Sequence, residues 1–417
     1  MVRTKIGRQR FIKIICIIII MIIIRREEAK FINESRKWIL LYGRRKTGKT
    51  FLVKNFVKYD EYFFVKRDKT IINKESMSYE TFRELLKEYV KNNKTVVVDE
   101  FHRLGDDFLD LLHSIGSGGK IILVSSTLHL SKKILASKSP LLGLVAEIPL
   151  GLLPLEECYK EISKLNFSKR EALELSVFCR EPITIEYVQK GKSAREIISN
   201  LIYSTRHLVP ALLGEIFLEE EKTLSKVYEG ILRAIAVGKN RAGEIANYLY
   251  SRKLIEKESS TMIQQYLKNL IDFGIIKKVL IVNKSEYFYD IVSPLMKLYF
   301  YADEKYNFGE ASSPENIRVI LDELMPKLIE SSVRELVARK YGLREAILSE
   351  KDREIDIFLL KFKKPYMVGE VKWGKIDSKD IDKIKDKLKE FPNSFIFVPD
   401  KSDFKKDPRI KDISDFV

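Results

Sequence analysis

Three groups of residues in the 417-residue chain have types and spacings that could do chemistry. The first is Gly43, Arg44, Arg45, Lys46, Thr47, Gly48, Lys49 and Thr50, the pattern G-x-x-x-x-G-K-T, directly after the apolar run 38–42 and followed by Phe51. Glycines at both ends let the backbone turn tightly, so that successive N–H groups converge on a phosphate at a helix N-terminus. Lys49 would reach the β- and γ-phosphate oxygens, the Thr50 hydroxyl would complete a Mg²⁺ shell, and the stretch from Gly43 to Phe51 would hold the nucleotide. A basic turn between a strand and a helix is the plain alternative. The second group is Asp99 and Glu100, ending the β-branched run 95–98. Alternation along a strand gives the two acids different tasks. Asp99 would hold the metal's hydration shell, and Glu100 would orient or deprotonate an attacking water.

The third group lies near the other end of the chain. Asp356 stands in E-I-D-I-F-L-L, and Glu370 and Lys372 stand in M-V-G-E-V-K-W. Residues two apart on a strand share a face, so the pattern sets two carboxylates and an amine together. Asp356 and Glu370 could bind a divalent metal, while Lys372 could position water or offset charge on a scissile phosphate. Glu330, on the helix expected around 328–341, is a candidate fourth member.

The elements that must position these residues are legible as periods. Runs at 38–42, 62–65, 95–98, 120–124 and 147–150 read as buried parallel strands alternating with helices, among them 51–59 and 79–90. Ser125, Ser126 and Thr127 end the fourth strand; Ser126 could hydrogen-bond a γ-phosphate or its attacking water, or the hydroxyls could cap the next helix. Residues 156–222 carry helical patterns only and read as a helical lid. Their acidic run, Glu219, Glu220 and Glu221, reads as a solvated face or linker. From 225 onward, helices at 227–237, 242–250 and 259–273 precede a hairpin at 275–282 and 286–289, which describes a winged helix. Its third helix offers Gln264, Gln265, Lys268 and Asn269 to phosphates and base edges.

The net charge is +16, distributed as +5 over residues 1–20, +8 over 21–150, −2 over 151–222, +5 over 223–300 and zero over the rest. Basic blocks favour an anionic partner such as DNA, although a solvated ion-pair surface has the same composition. Cys16, Cys158 and Cys179 show neither a disulfide framework nor a zinc spacing, consistent with a reducing cytoplasm. The apolar run 11–24 contains Lys13 and is shorter than the roughly 20 residues of a spanning helix, and no cleavage site follows it. Met21 reads as the natural start, making residues 1–20 a non-native extension and a membrane anchor the less favoured reading.

In order, GRRKTGKT, VVVDEF, VSST, SPLLG, a helical lid, a winged helix and D…E-x-K resemble the archaeal ATPases, P-loop proteins of the signal-transduction group related to AAA+ ATPases. The resemblance covers about residues 22–400, and Ile24, Arg25, Arg26, Glu27 and Glu28 are similar to the family's opening F-x-x-R-E-x-E. It implies an α/β fold: a P-loop parallel sheet at 21–155, a helical lid at 156–222, a winged helix at 223–301 and a PD-(D/E)XK nuclease-like domain at 302–417. It also implies ATP and Mg²⁺ as cofactors and action on DNA. Two positions depart from the family. Leu144 stands where an arginine follows Ser139, Pro140 and Gly143, which leaves open the source of an arginine finger. Cys179, Arg180, Glu181 and Pro182 replace the lid's Gly-Gly-x-Pro. The competing readings are a DNA-associated ATPase with a cutting or gripping C-terminal domain, and a regulatory switch in which ATP sets a homo-oligomeric assembly state. In the second, the winged helix docks a protein partner and the last domain does not catalyse.

Overall fold

The computed structural model describes residues 22–116, 118–128, 131, 141, 143–220, 222–308, 313–350, 353–374, 377–404 and 407–417. The proposed start at Met21, the residues before it, and Ser139 and Pro140 lie outside the described residues. No helix among the described residues is long and apolar enough to cross a membrane.

Strands β1 (Trp38–Tyr42), β2 (Glu61–Val65), β3 (Ile71–Ile72), β4 (Ser76–Met77), β5 (Thr95–Asp99), β6 (Lys120–Ser125) and β7 (Val145–Pro149) form one sheet in the order β4-β3-β2-β5-β6-β1-β7. The five longer strands run parallel, and β3 and β4 add an antiparallel edge. Parallel strands covered on both faces read as unbroken apolar runs, and alternate residues divide between two cores. Trp38, Leu40, Val96 and Val98 pack with Phe82 and Phe108, from helices Tyr79–Lys91 and Asp106–Ile115. Ile39, Leu41, Val97 and Val124 pack with Ile32, Leu52 and Val53, from helices Glu28–Glu34 and Lys49–Phe56. The helix after the loop stops at Phe56, before the expected residue 59. Asn33 ends it, its amide donating to the Phe56 carbonyl (2.9 Å) while its oxygen accepts from the Lys58 N–H (2.8 Å).

Helices Leu155–Ile162, Lys169–Cys179, Ala194–Ser204 and Leu208–Glu219 form a helical block, as the periodicity predicts. Helices Lys226–Ala236, Ala242–Ser251 and Ser260–Asp272 lead into an antiparallel hairpin of β8 (Ile276–Ile281) and β9 (Tyr287–Ile291). After helices Pro294–Tyr306 and Pro314–Tyr341 come β10 (Arg344–Glu350), β11 (Arg353–Lys361), β12 (Lys364–Val371), helix Ser378–Leu388, β13 (Ser394–Phe397) and β14 (Ile410–Lys411). The second sheet has the order β14-β13-β12-β11-β10-β8-β9. The hairpin enters it through parallel pairing of β8 with β10, at Leu280 with Ala346 and Ile281 with Ile347. The sheet therefore crosses the boundary expected at 301–302. A continuous core runs from Leu153 through the helical block and the Pro314–Tyr341 helix to Ile357 and Phe397.

Arg26 joins the first sheet to the helical block. It is buried, and its guanidinium donates to the carbonyls of Gly151 (2.8 Å) and Thr47 (3.4 Å), bracing the phosphate-type loop from behind. Nearby Glu157 is half-buried; burial pushes its carboxyl up to about 7, the Glu28 charge adds to this, and Arg26 and Arg339 offset part of it. A carboxyl whose pKa is raised on folding destabilises the native state increasingly as pH climbs from the unfolded value to the folded one. Glu157→Gln should therefore raise Tm at pH 8, with a gain that shrinks as pH falls through 7 towards 4.5. Thermal melts at the two ends of that window check this; an equal shift at both would contradict it.

Candidate functional site

The G-x-x-x-x-G-K-T segment leaves the buried end of β1 under a tight steric constraint. A Cβ on Gly43 would lie 2.1 Å from the Leu150 carbonyl oxygen, because the chain leaving β7 crosses the loop there. The Gly43 N–H donates to the Ser125 carbonyl at 3.3 Å, fixing the loop to β6 as well. Gly48, at φ 88°, turns the chain into the Lys49–Phe56 helix. The Lys49 ammonium is buried and donates to the carbonyls of Gly43 (2.8 Å) and Arg44 (2.9 Å). Burial lowers its pKa to about 8, and the charges of Glu100 and Asp99 partly restore it.

β6 lies between β1 and β5, which brings the ends of all three strands to one edge, where ligands bind in open α/β sheets. The Thr50 hydroxyl donates to Asp99 Oδ2 at 2.8 Å, and the Tyr62 hydroxyl donates to the same oxygen at 2.6 Å. Burial raises the Asp99 pKa, while these hydrogen bonds lower it in part. Asp99 Oδ1 is buried with no hydrogen-bond partner. A hydroxyl and a carboxylate with one unsatisfied oxygen form a hard donor set that fits Mg²⁺. Glu100 sits at φ 60°, ψ 34°, a left-handed conformation uncommon for glutamate. Its carboxylate accepts from Ser126 Oγ at 2.7 Å.

These elements enclose a cleft of about 640 Å³. Lys46, Gly48, Lys49, Thr50, Phe51, Glu100 and Ser126 line it, along with a basic wall of Arg45, Lys66, Arg67 and Arg103. Gly43, Arg44 and Thr47 do not. The Arg44 side chain turns the other way, into a buried ion pair with Glu181 of the helical block, and Thr47 Oγ1 donates to the Arg44 carbonyl at 3.0 Å.

The acidic run differs from its expected solvated state. Glu219 keeps 8% side-chain exposure; its carboxylate competes with that of Glu100 for the single Ser126 hydroxyl hydrogen and pairs with Arg45, and Arg103 lies 3.5 Å away. Glu215 pairs with Arg45 at 2.7 Å, Glu220 accepts from the Leu128 N–H, and Glu221 lies outside the described residues. The i,i+4 spacing of Glu215 and Glu219, beside the buried Ile216 and Phe217, was the available signal.

At the other end of the chain, the register of β11 and β12 pairs Ile357 with Gly369, so one step further Asp356 stands opposite Glu370 on the same face. The Val371 N–H donates to Asp356 Oδ2 (2.9 Å) and Lys387 binds Glu370 Oε1 (2.6 Å). Burial raises the pKa of Glu370, the Asp356 charge adds to this, and Lys387 and Lys372 oppose it. Burial pushes Glu330 up to about 7, with Arg334 opposing and Asp356 adding. Arg334 donates to the Asp356 carbonyl (2.8 Å) and to Glu330 (3.3 Å). Thus the predicted Asp356, Glu370 and Lys372 come together, joined by Arg334 and Lys387, which have no distinguishing pattern in a lysine-rich sequence. Among the described residues, no group of three or more His, Cys, Asp or Glu side chains has the arrangement to hold a metal ion.

Residues 35–159, which hold the first sheet and its loop, match the family model described as an AAA domain. Uncharacterized protein MJECL04 of Methanocaldococcus jannaschii is 26% identical over 419 residues, covering 87% of this chain and 90% of that protein. Among solved structures, the Aeropyrum pernix ORC2 protein in its ADPNP-ADP complexes covers 74% of this chain and 95% of its own, at 14% identity and a TM-score of 0.40. The Aeropyrum pernix ORC1 protein in complex with DNA covers 68% and 91%, at 13% identity and a TM-score of 0.31. Both likenesses are too loose to carry a property across.

An incoming phosphate must compete with the Glu219 carboxylate for Arg45, Arg103 and Ser126. Glu219→Gln removes the competing charge, and should tighten binding of a non-hydrolysable ATP analogue by about three- to tenfold, a scale set by charge-assisted hydrogen bonds. Calorimetry checks this; unchanged or weaker binding would contradict it.

Proposed function

We propose that the chain is a Mg²⁺-dependent ATPase whose nucleotide lies in the cleft at the ends of β1, β5 and β6. The observation that carries this reading is the Thr50–Asp99 hydrogen bond, with Asp99 Oδ1 unsatisfied and Lys49 and Glu100 at the same edge. The loop N–H groups and Lys49 bind and orient the phosphates, and Glu100 accepts a proton from the attacking water while Ser126 holds its carboxylate. Thr50 and Asp99 would hold Mg²⁺, which would supply neutralisation of the phosphate charge.

The wider reading is an ATPase of the cytoplasm acting on DNA. It is supported by the basic blocks at 21–150 and 223–300 and by a winged-helix reading of the three helices and the β8–β9 hairpin. Gln264, Gln265 and Lys268 are exposed on the third helix, but Asn269 is half-buried and donates to the Tyr228 hydroxyl at 2.6 Å, so it serves the fold. Asp356, Glu370 and Lys372 support a nuclease-like reading of the last block, with the two carboxylates as metal ligands. Leu144, at the place of the family arginine, favours a second reading in which nucleotide binding, more than turnover, sets an assembly state through a protein partner or a homo-oligomer.

Glu100→Gln should leave ATP binding intact and slow hydrolysis by about 10²–10⁴-fold, the usual contribution of a positioned base. Asp356→Ala should leave hydrolysis at the parent rate and abolish Mg²⁺-dependent plasmid cleavage. Parallel phosphate-release and plasmid assays measure both. Parental turnover in the Glu100 variant would remove that residue from the mechanism, and a parent without plasmid cleavage would leave the last block a binding module.

A further inference from the structure

The hairpin that carries Asp356 and Glu370 ends in a feature that the fold does not need. Lys361 pairs with Lys364 across the end of β11 and β12, so Phe362 and Lys363 form a two-residue turn. The first position of such a turn calls for glycine or asparagine when φ is positive. Here it holds Phe362 at φ 58°, and 89% of that residue is exposed. An aromatic residue in the left-handed region costs stability, and a ring left in solvent returns none through burial. A strained residue of this kind is a candidate contact for a partner outside the chain.

The surroundings indicate that partner's chemistry. Lys361, Lys363 and Lys364 are all exposed, and no acidic residue lies between Leu360 and Tyr366. Tyr366 is 44% exposed, with the Lys361 ammonium 5.1 Å from its ring centroid. The last 117 residues carry no net charge, so this basic, aromatic tip is a local concentration and not a general property of the block. Lysines flanking an exposed ring match a nucleic-acid strand, with phosphates on the ammonium groups and a base against the ring. Phe362 lies six residues from Asp356 along β11, about 20 Å at the rise of a strand.

We propose that the β11–β12 tip is a nucleic-acid contact in which Phe362 inserts between bases and Lys361, Lys363 and Lys364 hold the neighbouring phosphates. The tip grips the strand about 20 Å from the carboxylate pair, roughly six base steps at the 3.4 Å spacing of one strand. This rests on the DNA association proposed above. A membrane surface, which also takes lysines and aromatics, is the rival outcome.

The test uses the full chain and two substitutions at the tip. Phe362→Gly relieves the positive φ, so Tm should be unchanged or higher, while affinity for labelled DNA falls by about tenfold, the scale of one lost stacking contact. Opposite movements of stability and affinity separate a binding role from a structural one. Lys363→Gln with Lys364→Gln should reduce the log–log salt slope of DNA binding by about two, one per phosphate contact. Parental DNA affinity in Phe362→Gly would overturn the assignment, as would a loss of binding to phosphatidylserine vesicles that leaves DNA affinity intact. A parent chain that binds neither duplex nor single strand would instead overturn the DNA association itself.

Discussion

The buried ion pair between Arg44 and Glu181 is the constraint on which the rest depends. Arg44 belongs to the phosphate-type loop and Glu181 to the helical block, with 4% and 0% exposure, so each charge relies on the other. Removing one partner of such a pair costs about 3–5 kcal/mol, because the survivor is left buried and uncompensated. The residue before Glu181 extends the link: Arg180 pairs with Glu335 on the Pro314–Tyr341 helix. Lys277 on β8 joins Glu335 (3.5 Å) to Glu345 on β10 (3.0 Å), and Arg334 joins Glu345 (3.3 Å) to the Asp356 carbonyl (2.8 Å). Alternating charges thus run from the loop to the β11 backbone at Asp356. The adjacent residues Glu181 and Arg180 thus supply the first two links, one to the loop and one to the Pro314–Tyr341 helix.

The two carboxylate centres are handled differently. Asp99 is held by hydroxyls of Thr50 and Tyr62 and keeps one oxygen unsatisfied, while Glu100 turns into an open cleft. Asp356 and Glu370 are instead met by a backbone N–H and a lysine, with Arg334 and Lys372 nearby. The first centre therefore leaves one aspartate oxygen without a partner among the described residues. The second is balanced by its own cations, so a metal there would have to compete with Lys387 for Glu370.

Legibility in the sequence followed the range of the interactions. β1, β5 and β6 were plain because burial on both faces makes them unbroken apolar runs, and the loop was plain because glycine spacing reflects local backbone geometry. Asp356 and Glu370 were legible as same-face residues because strand alternation is strict. The β3–β4 edge was missed because two-residue strands have no period. The Asn33 cap that shortens the helix after the loop is a contact across more than twenty residues, without a local signature. Glu219 has no local signature for the same reason: its arginine partners lie 116 and 174 positions away, and adjacent glutamates look alike until the fold gives each its partner. The β8–β10 pairing depends on how two blocks meet, which neither strand's pattern records.

We propose that Lys49, strapped across the loop carbonyls, is the cation that receives nucleotide phosphate. Calorimetric titration of a non-hydrolysable ATP analogue with Mg²⁺ into the parent chain and into Lys49→Ala tests it most directly. The expected result is one site per chain in the parent and no detectable heat of binding in the variant. Equal affinity in the two proteins would contradict it.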